Sequence, residues 1–202
     1  MILAAGSSSR MGSPKQMLRF QGISLLRRAA LAALEAGCSP VIVVTGAFAD
    51  QSRRELGGLP VQEVVNESWE TGMASSVRAG VAALCETAPD ATALLLLLCD
   101  QPHVTAGVIS RLIDAHHATG SAIVASAYQE SSGVPALFGR ELFPELLQLE
   151  GRGGAKQVIG RHAAEAQILP FEAGGVDVDT PEDYRRLTAM EPGREKEDGP
   201  GH

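Results

Sequence analysis

The chain has 202 residues, 45% of them hydrophobic and 20% charged, a balance that excludes disorder over most of its length and lets one domain bury its own core without disulfide or metal staples. Twenty-four acidic residues against 17 basic ones leave a net charge of -7, so no positive field is available to hold nucleic acid, and aromatics at 4% are too sparse for a base-stacking platform. The cysteines Cys38, Cys85 and Cys99 form no CxxC pair and read as core residues of a reducing compartment.

Short apolar runs bounded by Gly, Asp or Asn alternate with longer amphipathic stretches, the pattern of strands and crossover helices in an α/β sheet. A strand is expected at 1–6. Ser24 then caps a helix whose Leu26, Ala30, Ala33 and Leu34 form one stripe, with Gly37 as its stop. Strands at 40–46 and 61–66 precede a helix at 74–85. The strand at 93–100 is continuously apolar over 94–98 and is therefore expected at the sheet centre, covered on both faces. Thr105 begins another helix through Val108, Ile109, Leu112 and Ile113. Strands follow at 122–128 and 134–138, helices near 140–149 and 155–164, a strand at 166–171, and a last helix from Pro181. The domain is expected to span 1–189. The remainder, 190–202, ends in EPGREKEDGPGH, which has no large apolar side chain and reads as a disordered charged tail. The apolar N-terminal run is too short for a signal peptide, and the run 93–99 falls far below the roughly 20 residues of a membrane span, so a cytoplasmic location without membrane contact is expected.

Residues 3–15, LAAGSSSRMGSPK, place a small-residue turn directly after the first strand, where open α/β sheets bind ligands. Small residues let backbone N–H groups approach phosphate, although the spacing matches neither GxxxxGKS/T nor GxGxxG. Arg10 and Lys15 lie in the same turn and supply a forked and a point cation for phosphate oxygens; the plainer alternative is two solvated surface charges. Asp100 ends the most apolar strand. Its carboxylate suits Mg2+, which takes one or two protein carboxylates plus waters and substrate phosphates, unless it merely caps the next loop. In DVDTPED, 177–183, strand alternation sends Asp177 and Asp179 to one side. Asp179 or Thr180 can cap the last helix and Asp183 suits its first turn, which leaves Asp177 as a second metal ligand. Ser75 and Ser76 either donate to a nucleotide or cap their helix, and Trp69 and Met73 either pack on a ring or form rim. His103, His116, His117 and the cysteines are assigned structural or surface roles.

LAAGSSSRMGSPKQML resembles the LAAGxSxRMGxxKxL signature of the nucleotidyltransferases that attach a nucleotide to molybdopterin, and the resemblance continues in order through NESWETGMASSVRAG, LLLLCDQP, GVPALF, EGRGGAK and DVDTPEDY. It implies a single-domain Rossmann-like fold with a mostly parallel, mixed sheet covered by helices on both faces. It also implies Mg2+-dependent transfer of NMP from an NTP to the terminal phosphate of molybdopterin, with release of pyrophosphate. By matching position, Leu3, Ala4, Ala5, Lys15, Asn66 and Asp100 would contact the nucleotide, with Gly6 completing the stretch against the base and Ser75 a further candidate. LAAG in place of LAGG points to CTP over GTP as donor. Arg10, Lys15 and Asp100 would carry the chemistry, and a molybdoenzyme or cofactor-insertion chaperone would be the partner downstream. The alternatives are GTP as donor, another phosphorylated acceptor such as a sugar phosphate or methylerythritol phosphate, and a non-catalytic cofactor carrier. Two departures stand out. Only Met1 and Ile2 precede Leu3, implying either a short first strand or a start further upstream, and GRGGAK differs from relatives that have an acidic residue after the first glycine and Arg in place of Lys156.

Overall fold

In the computed structural model, which describes residues 1–128 and 131–189, the apolar runs become strands of one seven-stranded sheet. The expected tail at 190–202 lies outside the described residues. In chain order the elements are β1 (Ile2–Leu3), a small hairpin of β2 (Arg19–Phe20) and β3 (Ile23–Ser24), α1 (Leu25–Glu35), β4 (Ile42–Thr45), α2 (Ala49–Leu56) and β5 (Gln62–Val65). Next come α3 (Met73–Thr87), β6 (Ala93–Leu98), α4 (Ala106–Thr119), β7 (Ile123–Tyr128) and β8 (Ser131–Gly139), then α5 (Phe143–Leu147), α6 (Lys156–Arg161), β9 (Gln167–Pro170) and α7 (Pro181–Ala189).

The strand order is β5-β4-β1-β6-β8-β7-β9. Every neighbouring pair is parallel except those made by β8, which runs against both β6 and β7. The chain winds outward from β1 through β4 to β5, then crosses back to β6 on the other side of β1. That reversal opens a crevice at the carboxyl ends of β1 and β6, the place where open α/β sheets take their ligands.

Alternation along β6 explains why this strand has no polar face. Leu94 and Leu96 enter the core under α3, α5 and α6, whereas Leu95 and Leu97 enter the core under α1, α2 and α4. Burial of each such leucine contributes roughly 1.5–3 kcal/mol. A third cluster of Met11, Phe20, Leu25, Val178 and Leu187 fastens the first loop and α7 to the β2–β3 hairpin. Ser24 caps α1 as expected, its hydroxyl accepting from the Arg27 N–H at 3.2 Å. Gly37 and Cys38 close that helix by donating to Leu34 and Ala33 carbonyls, both at 3.0 Å.

Three expectations are corrected. The first strand is Ile2–Leu3, not 1–6: the Ala4 N–H still reaches the Val44 carbonyl at 2.8 Å, and beyond it the backbone turns into the loop. The 177–179 segment is not a strand; one bond from the Val178 N–H to the Asp100 carbonyl, 3.0 Å, holds it beside the end of β6 with Val178 buried. The helical regions near 140–149 and 155–164 shorten to α5 and α6, the former preceded by a 3-10 turn at Arg140–Leu142. No helix among the described residues is long and apolar enough to cross a membrane.

Candidate active site

The crevice is a cleft of about 220 Å³ whose floor is Leu3, Ala4, Ala5 and Gly6. Each carbonyl of this floor already has a partner. Leu3 accepts from the Cys99 N–H at 3.3 Å and Ala5 from the Ala47 N–H at 3.1 Å. Ala4 and Gly6 both accept from the side-chain amide of Gln16, at 2.9 and 2.8 Å. Gln16 is fully buried, and nothing local in the sequence singles it out, because its partners lie 10 and 12 residues away.

The charged wall stands beside the floor. Lys15 Nζ donates to Asp100 Oδ2 and, at 3.1 Å, to Asp179 Oδ1. Arg10 donates to the other Asp179 oxygen at 2.9 Å while remaining largely exposed. Burial disfavours the Lys15 ammonium, but the facing negative groups, Asp100 foremost, outweigh it and hold its pKa above the ordinary lysine value. A second hollow of about 210 Å³, shared with the cleft at Gly6 and Lys15, is bounded by Ser7, Ser8, Ser9, Arg10 and Asp179. Small side chains, two cations and the Asp179 carboxylate therefore surround this hollow.

The structure brings Leu3, Ala4, Ala5, Gly6, Lys15 and Asp100 to one cleft and sets Arg10 at its neighbouring hollow. It does not bring Asn66 or Ser75 to the cleft surface. Asn66 is buried and donates to the Ser75 and Ser76 hydroxyls at 2.8 and 3.0 Å, while its own oxygen accepts from the Ser68 N–H. Ser75 turns its hydroxyl back to the Gly72 carbonyl at 2.8 Å, a local role, and Ser76 lines the cleft in its place. Trp69 and Met73 form the opposite rim. Gly46 lets that rim approach, since a Cβ there would stand 2.7 Å from the Ala5 carbonyl and 2.9 Å from Trp69. At Gly72, with φ of 117°, a Cβ would meet the Gly151 carbonyl at 2.7 Å, so the 151–154 loop packs directly on the start of α3.

Asp179, expected as a possible helix cap, faces the cations instead. Thr180 is the cap: its hydroxyl accepts from the Asp183 N–H at 3.2 Å, and Asp183 accepts from the Thr180 N–H at 2.9 Å, a reciprocal box. Asp177 is exposed as a residue yet crowded by protein; burial first, then the charges of Asp100 and Asp179, push its carboxyl up to about 6. Gln101, which the sequence reading passed over, donates to the Val134 and Gly174 carbonyls at 3.0 and 3.2 Å and so ties β6 to the β8 side of the sheet.

Asp100 is 7% exposed and its Oδ1 is buried without a partner, an orphaned anionic acceptor that fits a divalent cation. Among the described residues no group of three or more His, Cys, Asp or Glu forms a metal cage. The fit is therefore to an ion bound through one or two carboxylates and completed by substrate oxygens and water. Cys99 lines the cleft, but burial, then the Asp100 charge, pushes its thiol up to about 12, so it stays protonated. His103 packs edge-on against Phe20, ring centroids 6.1 Å apart, and His116 contacts the Ser121 carbonyl beyond the end of α4, away from the cleft.

The chain is similar to known proteins over most of its length. The crystal structure of Rv0371c from Mycobacterium tuberculosis superposes with a TM-score of 0.82 at 34% identity, over 93% of this chain and 95% of that one. A complex of Rv0371C with manganese superposes at 0.77 with 31% identity, over 94% and 96%. Nicotine blue oxidoreductase of Paenarthrobacter nicotinovorans is 31% identical over 92% of this chain and 94% of its own length. A probable molybdenum cofactor guanylyltransferase of Trichormus variabilis is 26% identical over 90% and 86%. Residues 1–166 match the MobA-like NTP transferase domain, and the chain belongs to that family.

Proposed function

We propose that the chain transfers CMP from CTP to the terminal phosphate of molybdopterin, releasing pyrophosphate, in the cytoplasm and with Mg2+ as cofactor. The observation that carries this reading is the meeting of Lys15 with Asp100 and Asp179 beside a small-residue loop at the ends of the switch-point strands. A terminal phosphate is already an anionic nucleophile at neutral pH, so the protein has little proton chemistry to perform. Positioning and charge neutralisation set the rate.

Leu3, Ala4, Ala5 and Gly6 hold the base. Lys15 and Arg10 release Asp179 as they turn to the triphosphate, and their charges offset what accumulates on the departing pyrophosphate. The acceptor phosphate oxygen attacks the α-phosphorus in line with that leaving group. Asp100, with Asp177 as the second carboxylate, would hold the divalent cation, which supplies further neutralisation of phosphate charge when bound. Asn66 acts from behind the cleft by orienting Ser75 and Ser76 at the start of α3.

A second reading, oxidoreduction, draws on the 31% identity to nicotine blue oxidoreductase. The first loop lacks the GxGxxG spacing by which dinucleotide cofactors are usually cradled, which favours transfer. Pyrophosphate release measured with each of the four NTPs, with and without molybdopterin, tests the proposal. Release with CTP that depends on molybdopterin is expected. Release with GTP changes the donor, release only with a sugar phosphate or methylerythritol phosphate changes the acceptor, and pterin binding without release favours a carrier. Consumption of NADH or NADPH without any pyrophosphate would favour the oxidoreductase.

A further inference from the structure

We infer that Gln101 is a positioning residue that holds Asp177 in place beside Asp100 and so sets how tightly the chain binds its divalent cation. The inference rests on the reading of Asp100 and Asp177 as cation ligands and deepens it by naming what places one against the other. The two carboxylates reach the site by different routes. Asp100 lies two residues beyond β6, a strand buried in the core on both faces. Asp177 lies in an irregular stretch between a 3-10 turn at Glu172–Gly175 and α7, where no ladder of sheet bonds fixes the backbone.

Two hydrogen bonds moor that stretch, one on each side of Asp177, and both run to the residues that follow β6. On one side the Val178 N–H donates to the Asp100 carbonyl at 3.0 Å. On the other, Gln101 Nε2 donates to the Gly174 carbonyl at 3.2 Å and to the Val134 carbonyl of β8 at 3.0 Å. The first is a backbone bond open to any residue but proline at 178; the second depends on the side chain at 101. Gln101 is 4% exposed, and its two carbonyl partners require the NH2 to face them, so the amide has one orientation. Its Oε1 is left buried without a partner, a cost that an apolar residue of the same size would not carry, so what the amide supplies is its donors. Burial and the charges of Asp100 and Asp179 oppose an ionised Asp177, and a hydrogen bond shared with the Gln101 side chain favours it. Gln101 therefore acts on Asp177 twice, through the backbone at Gly174 and at the carboxyl itself. Groups that orient a ligand without touching the ion typically govern about 10- to 100-fold in metal affinity.

Mn2+ binding to the full-length chain, with and without CTP, followed by loss of the free ion's electron paramagnetic resonance signal, tests this without turnover. Asp177→Asn should weaken Mn2+ binding about tenfold, and Gln101→Met, which keeps the length and removes the donors, should do the same. The double variant should bind little more weakly than either single one, because Gln101 acts through Asp177. A merely structural role would lower Tm and leave the Mn2+ affinity of the folded protein unchanged. Gln101→Asn keeps the amide on a shorter arm; it should fall between, and takes the place of Gln101→Met if that variant does not fold. Wild-type Mn2+ binding that is absent with and without CTP, or is indifferent to Asp177→Asn, overturns the two-carboxylate reading and this inference together. Binding that needs Asp177 but is unchanged in the Gln101 variants, or falls additively in the double variant, overturns this inference alone.

Discussion

The floor of the cleft and the cations of its charged wall come from one loop, the carboxylates of that wall come from the end of β6 and the segment before α7, and floor and wall are held by different forces. Leu3 to Gly6, of which the first three are buried, are fixed by neutral hydrogen bonds from Gln16, Ala47 and Cys99, each donor matched to a carbonyl. Lys15, Arg10, Asp100 and Asp179 are held by ion pairs of graded exposure, from the buried Lys15–Asp100 contact to Arg10, whose side chain is 72% exposed. Under the proposed transfer, the neutral bonds would serve to fix the shape of the floor. Under the same proposal, charges that can exchange one anion for another would serve rate, since Lys15 and Arg10 are paired with carboxylates that a phosphate could displace. Substitutions should therefore separate the two properties.

The largest separation is expected for Asp100→Asn. Asparagine keeps the shape, and Lys15 keeps Asp179, so the fold should persist while turnover falls about 100-fold or more. The preference among bases, a property of the floor, should not move. Steady-state kcat with CTP and with its competitors, alongside thermal melting, checks both halves. Near-normal turnover in a folded variant would remove Asp100 from the chemistry, and a changed base preference would show that floor and wall are one unit.

On the floor itself, Ala5→Gly tests fit by size. Ala5 lines the cleft, and on the CTP proposal its methyl would limit how near a ring can come and penalise a purine more than a pyrimidine. A misfit of this kind is worth roughly 1–3 kcal/mol, about ten- to two-hundred-fold in specificity. The variant should narrow the CTP-to-GTP ratio of kcat/KM. An unchanged CTP-to-GTP ratio would mean that the methyl does not choose the base.

The sequence made the charged side of this site legible and left the neutral side hidden. Lys15, Arg10 and Asp100 stand out because a cation in a glycine-serine turn, or an acid ending an apolar strand, is anomalous in its immediate surroundings. Gln16 is an ordinary polar residue by every local measure, and only tertiary structure shows its 0% exposure and its two carbonyl partners. The same logic holds for the fold. Leu94 to Leu98 announce a central strand, whereas α2, in which Ser52 and Leu56 are the buried residues, is too polar and short to read from periodicity. That β8 runs against its neighbours depends on which strand lies beside it, which no window of sequence contains. Asn66 carries a recognisable motif, yet its motif position said nothing of its facing the serines behind the cleft.

A smaller effect is expected at the outer end of the wall. Arg10 is exposed, so Arg10→Ala should change stability by no more than about 0.5 kcal/mol. The kcat/KM for CTP should nonetheless fall several-fold, and the deficit should shrink as salt is raised, because screening weakens the wild type's exposed cation. A salt-independent deficit would mean that Arg10 acts through shape.

The smallest effect concerns how Asp179 is kept facing the cations. Thr180 and Asp183 form a reciprocal cap on α7, with Asp183 also accepting the Asp179 N–H at 3.3 Å, so the cap orients the residue that pairs with Lys15 and Arg10. Thr180→Ala removes one cap partner and should cost about 1 kcal/mol, a fall in Tm of roughly 2–4 °C. The Thr180 hydroxyl is also the main reason the Asp183 carboxyl is held below its ordinary value of 3.8, followed by the backbone N–H groups it accepts from. A carboxyl with a depressed folded pKa contributes stability that is complete above its unfolded pKa and is lost as pH falls through the folded one. The melting gap between wild type and Thr180→Ala should therefore be largest near neutral pH and shrink below about pH 4. A gap that is constant with pH would assign the cost to the Thr180 hydroxyl's bond to the helix alone, and no gap at any pH would mean that Val178, buried beneath the segment, sets the position of Asp179 without help from the cap.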